Sequence, residues 1–492
     1  TAKNPYTGMS MAEDPALFML NLVNENALIA EWNGGRASRS ARALIEKKFE
    51  EYLKENKLDG PRDQERRNGL FIEFLVNLQG KCIAEQMRFL REEVGLKALI
   101  ADLNNHCNYT LTGLRSMLDL VDNHQYWDHP SFPVQEWDYP FVFQNRSSIS
   151  MNANNPRSLM PTRVFGKPFT VTEFNFCVPN TYRVECPSVF GGYAALQDWD
   201  GLYRFAWSHG RDGMRKDAKR RLNQFDIVNN IQAQMAERIM FMLFVRGDVK
   251  PADPAIAFEF RPEQLREIQG TTRSGNFPAE FTNLGLWGRI GSLTQTENVA
   301  GVQKVNPADK NWDAPLPAAA RKAMKELEEK GTITSCTGEI TLDNKANEMR
   351  IVTPRSEVLT TGRDAAGKVM RVVKPNVYQT FALMSLDNKP LVESDRMLLV
   401  QLSDLSNDQL RFDSDKRRVL RDWGSRPLML ERGAADIELV LPRPMNVVPL
   451  ELDGTPAEKP LQTKYQGGKL TFRAATDILP GGNLSYLLTP EK

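Results

Sequence analysis

Two short apolar segments, each running into a glutamate, decide the fold: Phe18-Met19-Leu20-Asn21-Leu22-Val23-Asn24-Glu25 and Pro168-Phe169-Thr170-Val171-Thr172-Glu173-Phe174. Apolar runs of this length are typical of the buried strands of a parallel sheet. In a parallel barrel, the residues at the C-terminal ends of the strands line the active-site face. A single Glu in such a place is more often a solvated or ion-paired surface acid. Two of them predict a pair of carboxylates on one face, which is the minimum needed to cleave a glycosidic bond.

The residues around these glutamates resemble those of the retaining glycoside hydrolases of the cellulase-like clan, which fold as a (β/α)8 barrel. In that clan an Asn-Glu pair ends the fourth strand, as Asn24-Glu25 would here, and the Glu is the acid/base. The nucleophile is a Glu that ends the seventh strand, often in a Thr-Glu-aromatic setting, which Thr172-Glu173-Phe174 matches. The resemblance covers residues 4–250.

Two further segments match the clan in the same order. Val121–Trp127 resembles the sixth strand, whose His-x-Tyr pair lies beside the nucleophile. Leu202–His209 resembles the eighth strand, which usually ends with a Trp at the floor of the cleavage subsite. The substrate-binding residues that the resemblance implies are Asn24, His124, Tyr126, Trp127, Trp199 and Trp207. For His124 taken alone, a buried and hydrogen-bonded histidine is the commoner alternative.

The resemblance also implies a mechanism. In a retaining enzyme the carboxyl groups lie about 5 to 5.5 Å apart, so that one attacks the anomeric carbon while the other protonates the leaving oxygen. Glu173 would form the glycosyl-enzyme, and Glu25 would act first as acid and then as base. A neutral acid needs a raised pKa, and we expect the charge of Glu173 to raise the pKa of Glu25. Asn24 would bind the sugar 2-hydroxyl, while His124 and Tyr126 would orient Glu173. No metal or organic cofactor is needed.

A fourth strand that ends at Glu25 leaves no room for the first three βα units, because few residues precede it. The sequence therefore predicts a partial barrel of strands four to eight, with unpaired edges. We expect this chain to be a fragment of a longer protein, and the barrel segment it lacks is a possible partner.

Composition excludes several classes of function. The formal net charge of +1 argues against nucleic acid as a partner. The longest strongly apolar stretch, Ile239–Val245, is far too short to span a bilayer. The five cysteines are odd in number and have no metal-type spacing, so buried free thiols are expected. Only Cys177 and Cys186 are close enough in sequence to suggest a local disulfide.

Three regions follow along the chain. Residues 1–250 are predicted to be the partial catalytic barrel, and residues 251–332, which are rich in proline at the start, a linker and helical packing segment. Residues 333–492 are a succession of short alternating runs, such as Ile437–Leu441, separated by Gly-rich turns, which is typical of an antiparallel β-sandwich. Clan members often carry such a domain, either as structural support or as a carbohydrate-binding module.

The segment Trp127–Arg163 has no clear period and predicts a long loop, which in a compact domain is usually functional. Its aromatic residues either form a sugar-binding surface or a small satellite core beneath the loop; they are Trp127, Trp137, Tyr139, Phe141 and Phe143.

Together these features predict a retaining glycoside hydrolase that cleaves a β-linked glycan or oligosaccharide. The resemblance implies a polysaccharide-degrading enzyme that is secreted or periplasmic. One alternative is a non-catalytic carbohydrate-binding or scaffolding protein that keeps the residues on an incomplete barrel. Another is a transglycosylase that uses the same residues.

Overall fold

A computed structural model describes residues 2–58, 64–215, 220–268 and 275–491. The described residues form a mixed α/β first part and a β-rich second part. The strands of the first part are β1 Met19–Asn21, β2 Leu99–Ala101, β3 Val121–Trp127, β4 Phe141–Val142, β5 Phe169–Phe176, β6 Gly201–Arg204, β7 Ala255–Phe260, β8 Arg289–Thr294 and β9 Val302–Val305.

The strands that carry the candidate site are parallel, as the apolar runs predict. β1 pairs with β2, with Leu20 opposite Ile100. β5 lies between β3 and β6 in a separate three-stranded sheet. These strands do not form one continuous barrel sheet within the described ranges. A single backbone hydrogen bond, from Asp119 N to Ile100 O at 3.1 Å, connects the turn before β3 to β2. A mixed α/β fold is therefore confirmed, whereas a partial barrel is not shown.

Helices cover the strands of the first part. In α2, the Ser38 side chain caps the N-terminus by accepting from the backbone of Ala41, and the face with Phe49 and Leu53 is buried. No helix among the described residues has the length and apolarity that crossing a bilayer requires. The α-helices are α1 Leu28–Asn33, α2 Arg39–Glu55, α3 Gln64–Arg88, α4 Thr112–Arg115, α5 Asn154–Arg157, α6 Tyr193–Leu196, α7 Ile231–Met240, α8 Ala279–Leu284 and α9 Ala318–Lys330.

Residues 251–332 contain more regular structure than the sequence indicated. The predicted helix is present as α9, which ends at Gly331 with a left-handed φ of 79°. The same region also holds a parallel sheet in which β7 lies between β8 and β9. Pro254 directly precedes β7, a position where a strand tolerates proline, so this proline starts a strand and does not mark a linker.

The β-rich second part is confirmed, and its two main sheets are antiparallel. The order is β10-β11-β12-β13-β16-β17-β26-β23 in the larger sheet and β14-β15-β22-β25-β24 in the smaller. The strands are β10 Thr332–Thr334, β11 Ile340–Asp343, β12 Glu348–Val352, β13 Ser356–Thr361, β14 Ala365–Ala366, β15 Met370–Val373, β16 Gln379–Ser385, β17 Met397–Leu402, β18 Leu405–Asp408, β19 Arg411–Phe412, β20 Val419–Asp422, β21 Ser425–Leu430, β22 Ala434–Val440, β23 Met445–Leu450, β24 Lys464–Gln466, β25 Lys469–Ala475 and β26 Ser485–Pro490.

The larger sheet is buried on both faces. Alternate residues of a strand point to opposite faces. In β16, Phe381 and Leu383 join the apolar core shared with the smaller sheet. Ala382 and Met384 join the core of the first part. The β-rich part therefore packs on the first part through a continuous apolar interface.

All five cysteines are free thiols. Cys177 and Cys186 are both buried, so the local disulfide that their spacing suggested is absent. Cys82 is exposed, which differs from the expectation that the thiols are buried.

Candidate active site

Glu25 follows β1 in an unusual backbone conformation. Its φ of 54° lies in the left-handed region, which costs a non-glycine residue about 1 to 3 kcal/mol. The backbone N–H of Glu25 donates to Asn104 Oδ1 at 2.7 Å, across from the end of β2. Asn104 also donates to Asn24 Oδ1 at 3.3 Å. A strained backbone that a neighbouring strand end holds in place is typical of functional positions.

Glu173 lies within β5, beside the residues of β3 that the sequence singled out. The parallel register sets His124 opposite Glu173, directly after an irregularity between Asn123 and His124. The Tyr126 hydroxyl donates to Glu173 Oε2. Burial and this hydrogen bond raise the pKa of Tyr126 far above its usual value, so the phenol stays protonated and remains a donor.

His124 lies between the two glutamates. Its Nδ1 is 3.0 Å from Glu25 Oε1 and 3.6 Å from Glu173 Oε1. Its Nε2 is 3.1 Å from Asn104 Nδ2, an amide that can only donate. We assign a proton to Nδ1 from its contact with the carboxylate, so that Nδ1 donates to Glu25. The ring is almost completely buried, whereas Glu25 is 38% exposed.

The electrostatics of Glu25 differ from the expectation. The hydrogen bond from His124 lowers the pKa of Glu25, and this outweighs the raising effect of burial. Smaller lowering contributions come from the charges of His124, His129 and His106. The sequence predicted a raised pKa from the charge of Glu173. That prediction is wrong for this arrangement, because a donor stands between the two carboxylates and stabilises the ionised form of Glu25.

A second group of buried polar residues contacts His124 at its Nε2 atom. Asp122 accepts from the hydroxyl of Thr170 at 2.8 Å and from the backbone N–H of Thr172 at 3.0 Å. Burial still raises the pKa of the Asp122 carboxyl. Thr172 Oγ1 lies 3.0 Å from His124 Nε2, which links this group to the site. The contacts of Nε2 with Thr172 and Asn104 hold the ring orientation of His124.

The tryptophans that the sequence proposed occupy different environments. Trp127 is buried, and its indole N–H donates to the Arg146 carbonyl at 2.8 Å. Trp199 is buried against Phe169, with ring centroids 5.1 Å apart. Burial of both rings favours a packing role for them over substrate contact. Trp207 is 52% exposed on the segment that follows β6, so its ring is free to meet a ligand.

A cluster of aromatic rings beside Tyr126 was not predicted. We call it the aromatic row; its members are Tyr126, His129, Trp137, Phe205, His209 and Phe225. The chain has only four histidines. Three of them lie in the row or between the glutamates, and the fourth, His106, makes a small contribution that lowers the pKa of Glu25. The rarity of histidine was a sequence signal that could have identified His129 and His209.

The same site could hold a cation. Glu25, His124 and Glu173 each offer one ligand atom, and these atoms all lie within 4.8 Å of one another. Imidazole nitrogen and carboxylate oxygen both bind divalent transition metals, and Nδ1 of His124 would have to give up its proton to do so.

Comparisons with known proteins give little overlap. No protein-family model matches the chain. No curated protein matches it. Among solved structures, the chain is similar to a rhamnosidase from Novosphingobium sp. PP1Y, with 9% identity and a TM-score of 0.25. That match covers 87% of this chain and 40% of the rhamnosidase chain, so the chain spans less than half of the length of that protein.

Proposed function

We propose that the chain is a retaining glycoside hydrolase that cleaves a β-linked glycan by double displacement. One observation carries the proposal: Glu25, which follows β1, and Glu173, which lies within β5, have carboxylate oxygens within 4.8 Å of each other. This spacing is compatible with the separation of about 5 to 5.5 Å in retaining enzymes and is shorter than the gap that an inverting enzyme leaves for water.

In the proposed mechanism Glu173 attacks the anomeric carbon. Tyr126 holds one carboxylate oxygen of Glu173, so the other oxygen is free to form the glycosyl ester. Glu25 protonates the leaving oxygen and later activates water. Asn24, which Asn104 orients, binds the sugar 2-hydroxyl, and Trp207 stacks under the sugar.

Because its pKa is lowered, Glu25 must take up a proton from solvent before it can act as the acid in the first step. His124 Nδ1 is close to both carboxylates, so a small shift of the carboxylates when a substrate enters can move the hydrogen bond of its N–H from Glu25 to Glu173. The pKa of Glu25 then rises because it loses its donor while the charge of Glu173 remains nearby. His124 is thus a positioning residue that sets which carboxylate holds the negative charge.

Substitution of each glutamate tests the assignment. Glu173→Ala should abolish hydrolysis of 4-nitrophenyl β-glycosides, and azide should restore turnover with a glycosyl azide of inverted configuration. Glu25→Ala should keep activity on these activated substrates, and azide should give a product of retained configuration. Glu328→Ala, an exposed glutamate of α9, is the matched control and should leave all rates unchanged. If the two variants give azide products of the opposite configurations, Glu25 is the nucleophile and Glu173 the acid/base. Full activity of Glu173→Ala would refute the proposal.

The proposal includes the partial barrel, with β1, β2, β3, β5 and β6 as strands four to eight, and export of the protein to the periplasm or the medium. Fractionation of the native cells tests the location.

The ligand geometry favours a second candidate, a hydrolase that depends on a divalent metal held by Glu25, His124 and Glu173. Dialysis against EDTA separates the two. Hydrolysis that is lost with EDTA and restored by a divalent cation supports the metal enzyme, whereas hydrolysis that EDTA leaves unchanged supports double displacement. Glycan binding without hydrolysis would instead support a non-catalytic carbohydrate-binding protein.

A further inference from the structure

The β-rich part reaches toward the candidate site through residues 404–431, which we call the arm. Its strand β20 pairs with β4, with Val419 opposite Val142 and Leu420 opposite Phe141. The strand β19 pairs with β20 on the other side, so β4 and the arm form one three-stranded sheet. The loop between β3 and β5 is therefore held by a strand from the other half of the protein.

Side chains strengthen this contact at two places. The backbone N–H of Trp423 donates to the Tyr139 hydroxyl at 2.9 Å. The buried Asn407 side chain accepts from Leu222 N at 2.7 Å and donates to the carbonyls of Leu222 at 3.0 Å and Trp423 at 2.8 Å. A small apolar core that includes Phe141, Leu222 and Trp423 fills the space between the arm and the loop. The arm thus fixes both chain segments that carry the aromatic row.

Trp137 is the outermost ring of the aromatic row. Its ring is 49% exposed, and it contacts Phe132 at 4.7 Å, His129 at 5.9 Å and Phe225 at 6.0 Å between centroids. His129 and Phe225 in turn contact Tyr126, at 5.4 and 5.2 Å. The Tyr126 hydroxyl is hydrogen-bonded to Glu173. A continuous series of ring contacts therefore connects the proposed nucleophile to the exposed indole of Trp137.

The backbone of Trp137 is also unusual, with a φ of 63° in the left-handed region. A bulky residue rarely adopts this conformation, and it persists only where the surroundings hold it. Packing against neighbouring rings covers only one side of the indole, and 49% of the residue stays exposed. A binding role explains both the strain and the exposure of a large apolar ring at the end of the row.

We infer that Trp137 is a stacking platform for a sugar residue next to the pair joined at the cleaved bond, and that the arm positions it. This inference rests on the proposed function. The face of a pyranose packs its C–H groups on a flat aromatic ring, and a tryptophan that is already held loses little conformational entropy on binding. The residue would contribute to the binding of long substrates only, since a monoglycoside ends before it.

The test compares 4-nitrophenyl β-monoglycosides with β-linked tetrasaccharides of the same sugar. Trp137→Ala should raise KM for the tetrasaccharide about tenfold while kcat and the kinetics on the monoglycoside stay the same. Tyr139→Phe keeps the ring but removes the acceptor of Trp423 N–H, and it should raise the same KM by about threefold. Tyr6→Ala is the control, because this aromatic ring is 96% exposed and far along the chain from the row. Thermal unfolding of each variant reports on its folding.

The outcomes separate the inference from the proposed function. Hydrolysis by the unaltered chain with an unchanged tetrasaccharide KM in Trp137→Ala overturns the inference and leaves the proposed function standing. Equal losses on both substrates also overturn it, because they indicate a general structural defect. Tetrasaccharide binding without hydrolysis, measured by tryptophan fluorescence and lost in Trp137→Ala, overturns the proposed function alone. If the unaltered chain neither binds nor hydrolyses the tetrasaccharide, both the inference and the proposed function are overturned.

Discussion

Glu185 is a carboxyl group buried at the contact between the two halves of the protein. It accepts from the Ser147 hydroxyl at 2.6 Å and from the Tyr378 hydroxyl at 2.9 Å. Its other oxygen accepts from the backbone N–H groups of Ser148 at 2.7 Å and Ile149 at 3.2 Å. Despite these donors, burial raises the pKa of Glu185 from 4.5 to about 7.

This raised pKa makes the stability of the protein depend on pH. Below pH 4.5 the carboxyl is neutral in both the folded and the unfolded chain, so its contribution is fully present. As the pH rises the unfolded chain ionises first, and stability falls until the folded carboxyl also ionises near pH 7. The difference between the two pKa values corresponds to about 3 kcal/mol of unfolding free energy, at about 1.4 kcal/mol per pH unit.

Glu185→Gln should remove this dependence. The amide oxygen can accept from the backbone N–H groups of Ser148 and Ile149, and its NH2 can donate to the hydroxyls of Ser147 and Tyr378, which reverse their roles. We expect the variant to match the natural protein at pH 5 and to exceed its unfolding free energy by about 2 to 3 kcal/mol at pH 8.

Urea unfolding followed by tryptophan fluorescence at both pH values measures this difference. Glu328→Gln, at an exposed position of α9, should show no such change and controls for the loss of one charge. A Glu185→Gln protein that is less stable than the natural one at pH 8 would refute the reasoning, because it would mean that the four donors stabilise the buried carboxylate more than burial penalises it.

Two further predictions concern the site and the core. His124→Ala should raise the pKa of Glu25 by removing its hydrogen-bond donor. The pH above which kcat/KM falls should therefore increase. If that pH stays the same, the hydrogen bond from His124 is not the cause of the lowered pKa. Gly69→Ala should lower the unfolding free energy by about 1 to 3 kcal/mol because overpacking forces a backbone shift. The added Cβ would lie 2.1 Å from the Arg266 carbonyl oxygen. Thermal unfolding should show a smaller loss for Gly80→Ala in the same helix, whose Cβ meets only side-chain atoms, of Leu114 at 3.2 Å and Met117 at 3.7 Å.

The sequence predicted β3 and β5 closely, because both are uninterrupted and chemically distinctive, whereas β1 ends at Asn21 and β6 at Arg204, before their predicted ends. It did not predict the environment of Trp199, whose ring packs against Phe169, a residue that lies 30 positions earlier in the chain. The raised pKa expected for Glu25 was wrong because it treated the glutamates as a pair, whereas the fold inserts His124 between them. Local patterns thus identified the residues, and tertiary packing decided their electrostatics.

The proline-rich region after residue 250 shows the same limit. The proline content predicts a linker or packing segment there, whereas Pro254 directly precedes the strand β7. The parallel sheet of β7, β8 and β9 depends on pairing between segments that no local pattern connects. Long-range pairing of this kind is invisible to a periodicity argument.

The pairing of β4 with β20 has a consequence for how this protein could evolve. A C-terminal module joined only by a linker can be lost, exchanged or duplicated without affecting the catalytic half. Here such an exchange would strip β4 of its partner strand and expose Phe141 and Leu420. The two halves must therefore be inherited together, and changes in the arm and in the β3–β5 loop should accumulate in concert.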